Sequence, residues 1–196
     1  MVAVLTGDVI GSRKKDPAIW LPVLEKALQV YSVNFDIYRG DSFQAKVNLS
    51  SVFVSAFYIK AAMVNIGLDV RIGIGVGEEE VPAYHIKNTF GTALINSGQA
   101  FDGLKKDSLA VVSTNKDFDE LCNVILGLSA ELCLRWTANI AGTVKAALLH
   151  EGINQKELAN LLKKKHQSQV STELQKASFF KLKRAIDYCT DKLLEL

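Results

Sequence analysis

Phe35-Asp36-Ile37-Tyr38-Arg39-Gly40-Asp41-Ser42-Phe43-Gln44-Ala45-Lys46-Val47 is the stretch on which the reading of the fold turns. Its two halves carry aromatic and β-branched residues, and the polar link Arg39-Gly40-Asp41-Ser42 between them contains the glycine that a chain reversal favours. The stretch therefore predicts a hairpin with Asp41 at its tip or just past it. Upstream, Val2 to Val9 is nearly all apolar, the pattern of a strand covered on both faces. Asp16-Pro17 then supplies an N-cap and a first-turn proline, and Trp20, Leu21, Leu24, Ala27, Leu28 and Tyr31 recur at helical spacing. Downstream, Ser50 or Ser51 can cap a second helix reaching about Asn65 and closed by Gly67, and Asp69 to Gly77 alternates as a strand.

The order is strand, helix, strand, strand, helix, strand. That is the split βαβ arrangement of ferredoxin-like folds, so the expected class is α+β: an antiparallel sheet with helices on one face. The first strand lies between the others in this topology, and its end falls beside the hairpin. Asp8 and Asp41 are thus expected neighbours.

Past Gly77, Glu78 to Thr89 reads as a loop, Ala93 to Leu104 as a helix, Leu109 to Val112 as a strand and Asp117 to Trp136 as a long helix. Composition shifts toward Lys, Gln and Ser near Ala138, with no proline-rich linker. The expected division is 1–137 and 138–196, the second unit docked on the first. With 196 residues, 48% hydrophobic and 22% charged, the chain has material for a real core. No apolar run is long enough to cross a bilayer and the N-terminus lacks the features of a secretory signal, so a cytoplasmic location is expected. Cys122, Cys133 and Cys189 lack metal-type spacing and read as buried free thiols, while His85, His150 and His166 are too scattered for a zinc cluster. The net charge of +2 is uneven: from Thr143 onward ten Lys and Arg stand against six Asp and Glu. A mildly basic tail suits an anion-facing module, and a solvated helical surface explains it equally well.

Two acidic motifs carry the chemistry: Leu5-Thr6-Gly7-Asp8-Val9-Ile10-Gly11-Ser12 and Tyr38-Arg39-Gly40-Asp41-Ser42-Phe43. Carboxylates on rigid strand ends can hold divalent cations against a triphosphate. Gly11 and Ser12 are candidate phosphate contacts where the first helix approaches, and Arg39 and Arg71 either contact phosphates or form surface ion pairs. Asp8 capping its turn and Asp41 serving only the hairpin is the plainer alternative. A Walker-type phosphate loop is a poor rival, because Gly7 to Ser12 has the wrong glycine spacing and no Lys before Ser12.

Asp8-Val9-Ile10-Gly11, then Gly40-Asp41 in a hairpin, then Val70-Arg71-Ile72-Gly73-Ile74-Gly75 in a later strand, resembles the class III nucleotidyl cyclase domain in content and order. The resemblance implies that Asp8 and Asp41 are metal-binding aspartates, with the Val9 carbonyl as a further ligand and Mg or Mn as the cofactor. It also implies a homodimer, since cyclase sites form between two domains. The segment Gly91-Thr92-Ala93-Leu94-Ile95-Asn96-Ser97-Gly98-Gln99-Ala100 departs from it: Asn96 is displaced by one position, and Gln99 or Ala100 stands where the catalytic arginine belongs. Gly91 through Asp102, taken with the two acidic motifs, is closer to the bacterial SatD family. That resemblance runs nearly the whole chain and implies a cyclase-like domain with a small C-terminal helical domain.

In that tail Thr143 to Gly152 is an amphipathic segment, Asn154 and Glu157 make a capping box, Ala159 permits a close helix crossing, and Ser168 is the expected cap of a helix with Val170 and Leu174 facing inward. This is helix-turn-helix patterning. Gln167, Ser168, Gln169, Ser171, Thr172 and Gln175 would face a major groove, with Lys163, Lys164, Lys165 and Lys176 on phosphates. The turn is one residue longer than usual and holds lysines where a glycine is customary. A helical bundle for dimerisation or protein contact is the alternative. Phe179, Phe180, Leu182, Ile186 and Leu193 read as core or interface residues.

The expected function is a bacterial transcriptional regulator in which a degenerate cyclase-like domain binds a metal-nucleotide at Asp8, Val9 and Asp41, with Gly11, Ser12, Arg39 and Asn96 on the nucleotide. The alternative is a metal-dependent nucleotide-processing enzyme with a structural C-terminal bundle. The missing arginine leaves the catalytic residues unassigned.

Overall fold

The computed structural model describes residues 1–80, 86 and 90–196. Strand β1 (Val2–Ile10) is followed by a short 3-10 turn at Ser12–Lys14 and by helix α1 (Pro17–Gln29), which Asp16 caps by accepting the Ala18 N–H. The hairpin β2 (Asn34–Tyr38) and β3 (Ser42–Val47) precedes α2 (Val52–Asn65) and β4 (Asp69–Gly77). Then come α3 (Thr92–Asp102), β5 (Leu109–Val112) and α4 (Lys116–Cys133). Helices α5 (Ala138–Leu149), α6 (Gln155–Leu161), α7 (Gln167–Lys176) and α8 (Phe179–Leu194) complete the chain. The expected loop from Glu78 to Thr89 lies for the most part outside the described residues.

The protein is α+β, with one sheet in the order β2-β3-β1-β4-β5. The first four strands are antiparallel to their neighbours, and β5 joins β4 in parallel, so the sheet is mixed where a purely antiparallel one was expected. In β1, Ala3, Leu5 and Val9 turn to one face against Phe53, Phe57 and Met63 of α2, together with Ile72 and Ile74 of β4. Val4 turns to the other face and packs on Ala93 of α3. Helices on a single face were expected, and the structure corrects this: α3 crosses the opposite face. The reason lies in β4, where Gly73, Gly75 and Gly77 alternate with the buried Ile72, Ile74 and Val76. A Cβ on Gly75 would lie 2.1 Å from Ala93 O and Ser97 N, and one on Gly73 would lie 2.3 Å from Phe101 N. The bare backbone of β4 lets the helix backbone settle directly on it.

Helix α2 is apolar on nearly every side because it has neighbours on nearly every side: the sheet, α1, α5 and α8. The residue groups 1–137 and 138–196 accordingly share a single apolar cluster, in which Trp136, Val144, Val170, Leu182 and Cys189 continue the core beneath the sheet. Asn65 Nδ2 donates to Ala138 O at 2.8 Å, and Trp136 Nε1 donates to Ala177 O at 3.3 Å. Helix α5 begins at Ala138, five residues before the amphipathic segment expected from Thr143. The three cysteines are buried and free. Burial pushes the Cys133 thiol up to about 12. Of the α8 residues expected in the core or at an interface, Phe180 is 59% exposed and Phe179, Leu182, Ile186 and Leu193 are buried. No helix among the described residues is long and apolar enough to cross a membrane.

Lys60 of α2 is wholly buried, and its ammonium donates to Asp69 Oδ1 at 2.7 Å, Ser108 Oγ at 3.0 Å and Val70 O at 3.5 Å. A buried cation is tolerable only with such partners. The pair pins the start of β4 to α2 and to the segment leading into β5.

Candidate functional site

The two acidic turns meet. Val9 N–H donates to Asp41 O at 3.1 Å, Asp8 pairs in register with Ser42, and Ser12 Oγ donates to Asp41 Oδ2 at 2.6 Å. Their carboxylates, however, have different partners. Asp8 lies opposite Arg71 across the β1/β4 ladder and accepts from it twice, Nε to Oδ1 at 3.0 Å and Nη2 to Oδ2 at 2.5 Å. This fork-on-carboxylate geometry is the strong form of an ion pair. It holds the Arg71 proton more firmly than usual, and the guanidinium also sits 5.4 Å from the centre of the Phe101 ring.

Asp41 faces a different space, a cavity of about 320 Å³ lined by Ser12, Arg13, Lys15, Trp20, Arg39 and Asp41. Gly11 makes it possible by entering the 3-10 turn at φ 74°, which swings Ser12 to Lys15 over the hairpin tip. Arg39 adopts φ 51° at that tip, with Gly40 beside it at φ 93°. Lys15 is held by its ammonium on the Ile66 carbonyl at the end of α2. Trp20 is buried, and its indole Nε1 has no hydrogen-bond partner among the described residues. Arg13, Lys15 and Arg39 thus line, with one hydroxyl and one carboxylate, a hollow whose wall includes a buried indole, the Lys15 ammonium being engaged at its edge by the Ile66 carbonyl. Arg13 and Lys15 were not among the expected ligands, although the run Arg13-Lys14-Lys15 directly after Ser12 was visible as a basic cluster.

Asn96 does not belong to this group. Its Nδ2 donates to Val76 O at 2.8 Å, and Val76 pairs with Ala3, five residues before Asp8. At the rise of a strand that is about 17 Å from the acidic turns. Asn96 secures α3 to the far end of β4, away from the residues it was expected to join on a nucleotide. Gln99 is exposed and Ala100 buried, so α3 brings no cation to the place of the missing arginine.

The residues fit a shared divalent-cation site poorly. Both Asp8 oxygens are spent on Arg71, one Asp41 oxygen is engaged by Ser12, and no group of three or more His, Cys, Asp or Glu suited to a metal occurs among the described residues. The cations around Asp41 suit a phosphate directly, without a bridging ion.

At the other end of the chain, α6 and α7 pack through Leu158, Ala159, Val170 and Leu174. Helix α6 ends with Lys163 at φ 52° and with Lys164 N–H donating to Ala159 O at 2.8 Å, the bond that closes a Schellman turn. Lysine thus occupies the left-handed position customary for glycine. Helix α7 starts at Gln167, and its N-cap is His166 where Ser168 was expected, because Gln169 Oε1 reaches back to accept the His166 N–H at 3.1 Å. Gln169 is therefore a capping residue, and Gln167 Nε2 is bonded to Gln155 Oε1 at 2.7 Å. Lys164 is drawn inward to Glu173 Oε1 at 2.9 Å, while Glu173 Oε2 accepts from Thr143 of α5, so Lys164 is half-buried and not free for phosphates. Ser171 is also half-buried. Lys163, Lys165, Ser168, Thr172, Gln175 and Lys176 remain exposed together with Gln167 and Gln169.

Comparison with protein-family models finds no match, nor does comparison with curated proteins or with solved structures. The functional reading rests on the residues themselves.

Proposed function

We propose that the chain is a nucleotide-responsive regulator that binds the phosphates of its ligand in the cavity beneath the hairpin tip and DNA on the outer face of α6 and α7. The observation that carries the first half is the convergence of Arg13, Lys15 and Arg39 with Ser12 on one hollow. Guanidinium and ammonium groups lining one hollow can neutralise a polyphosphate. The strand order β4-β1-β3-β2, antiparallel throughout, supports a ferredoxin-like, cyclase-like reading of the sheet and with it the SatD resemblance. The α6–α7 pair supports the helix-turn-helix reading, with Lys163, Lys165 and Lys176 on phosphates and Ser168, Thr172 and Gln175 toward bases. Binding takes precedence over catalysis because no unpaired cation stands on α3 to stabilise a transition state.

Calorimetric titration with ATP and GTP, in EDTA and again in magnesium or manganese, tests the reading. Binding that persists in EDTA and weakens at least about tenfold in Arg39→Ala supports direct phosphate recognition, a loss of the size of one charge-assisted contact. Binding indifferent to both Arg13→Ala and Arg39→Ala overturns it. Binding that appears only with the metal and vanishes in Asp41→Ala returns the site to the metal-bridged form. For DNA, Lys165→Ala combined with Lys176→Ala is expected to lower affinity and flatten its salt dependence in fluorescence anisotropy.

A further inference from the structure

The two edges of the sheet are finished differently. On β5, the Asn123 side chain of α4 accepts the outward Val111 N–H at 2.7 Å and donates to Val111 O at 2.9 Å, and Asp119 Oδ1 accepts the Ser113 N–H at 2.8 Å. A helix thus closes that edge. Strand β2 has no such cover. Val9 N–H donates to Asp41 O, which fixes the alternation along β3: the backbone of Phe43 and Ala45 turns toward β1, and that of Ser42 and Gln44 toward β2. Phe35 and Ile37, opposite Ala45 and Phe43, therefore carry their N–H and C=O groups on the outside. Among the described residues nothing is bonded to them.

Beside this edge runs a groove of about 410 Å³, lined by Leu21 and Glu25 of α1, by Phe35, Asp36 and Ile37 of β2 and by Gly40. Leu21, Phe35 and Ile37 are half-buried against the core, and strand alternation sets Asp36 on the other face. Neither Glu25 nor Asp36 is in an ion pair among the described residues. The cations around them are committed or turned away. Lys46 is bonded to Glu79, Arg39 lines the phosphate cavity, and Lys26 projects about 100° around α1 from Glu25.

Unpaired donors and acceptors along an edge can take one more strand, and the side chains beside them select which. A second copy of β2 is selected against. In the antiparallel register that bonds Phe35 of one copy to Ile37 of the other, the two Asp36 side chains lie directly opposite, a destabilising pair. The registers on either side keep only one bonded pair within the strand. We propose that the β2 edge docks an extended basic peptide of another protein, added antiparallel. Its apolar side chains rest on Leu21, Phe35 and Ile37, and its alternate, basic side chains pass Asp36, with Glu25 adding to the acidic field. The proposal is independent of the phosphate reading.

Fluorescence anisotropy of a labelled peptide alternating valine and lysine, titrated with the full chain, tests it. Saturable binding is expected, and none with a peptide alternating valine and glutamate. In antiparallel pairing the valines lie opposite Phe35 and Ile37 and turn their own N–H groups toward β2. N-methylation of the valines is therefore expected to abolish binding, and N-methylation of the lysines to leave it. Glu25→Lys combined with Asp36→Lys is expected to weaken binding severalfold with an unaltered circular dichroism spectrum, and to admit the glutamate peptide. A wild-type chain that does not bind the lysine peptide, or binding indifferent to valine methylation, overturns the site. Loss on lysine methylation instead overturns the antiparallel direction, and equal binding of the glutamate peptide overturns the charge selection. A chain that is dimeric in sedimentation velocity and monomeric in Ile37→Pro, which removes only an outward N–H from the edge, overturns the choice of occupant.

Discussion

Single atoms decide several features of this molecule. At Gly75 the missing Cβ is what allows α3 to sit on the sheet, since the added atom would lie 2.1 Å from two backbone atoms that have no freedom to retreat. Gly75→Ala is therefore expected to cost about 3 kcal/mol or more in urea unfolding, at the upper end of overpacking effects. An unchanged midpoint would mean that α3 is held off the sheet in solution. Lys60 and Asp69 form a second such point. Asp69→Ala leaves an ammonium with no counter-charge inside the core and is expected to cost about 3 kcal/mol, whereas adding Lys60→Met to that variant should recover most of the loss. Chemical denaturation of the three proteins makes the comparison. Both acidic turns were legible in the sequence, as was their proximity. That Arg71 would take both oxygens of Asp8 was not, because cross-strand register depends on where β4 starts against β1, and local pattern does not set that.

Among elements, the α6–α7 pair shows how local rules are met by unusual residues. Lys163 holds the left-handed turn that ends α6, a conformation that costs a side chain about 1 kcal/mol and costs glycine almost nothing. Lys163→Gly is expected to raise thermal stability by about that amount while weakening any DNA complex through the lost cation, so melting and anisotropy should move in opposite directions. The helix start at His166 escaped a reading of caps because Ser168 is the better capping residue by type. The reach of Gln169 back to His166 settled the matter two residues earlier. Helix α3 was legible as a helix, but the face on which it lies was not. Periodicity identifies a buried stripe without saying which side of a sheet will bury it, and only the bare side of β4 offers α3 a seat.

For the whole molecule, the shared core between 1–137 and 138–196 has a direct consequence. Removing α5 to α8 would bare the apolar flanks of α2 and α4, so the fragment 1–137 is expected to be insoluble or unfolded, and the full chain to unfold in one calorimetric transition. Two separated transitions, or a soluble and folded fragment, would show two independent domains. The change of composition near Ala138 is real and coincides with the start of α5, yet it marks a helical layer added to the sheet and not the edge of a separate core. The sequence by itself determined the α+β class, the hairpin, the pairing of the two acidic turns and the helical tail, because each follows from short-range periodicity, turn chemistry and the order of elements. Only the tertiary structure decided that Asp8 belongs to Arg71, that Asn96 stands at the far end of β4, that Lys15 and Arg13 join Arg39 around Asp41, and that α3 lies across a glycine-lined face. Those outcomes depend on register, on close backbone approach and on which side chain reaches a partner first, quantities that exist only once distant segments are in contact.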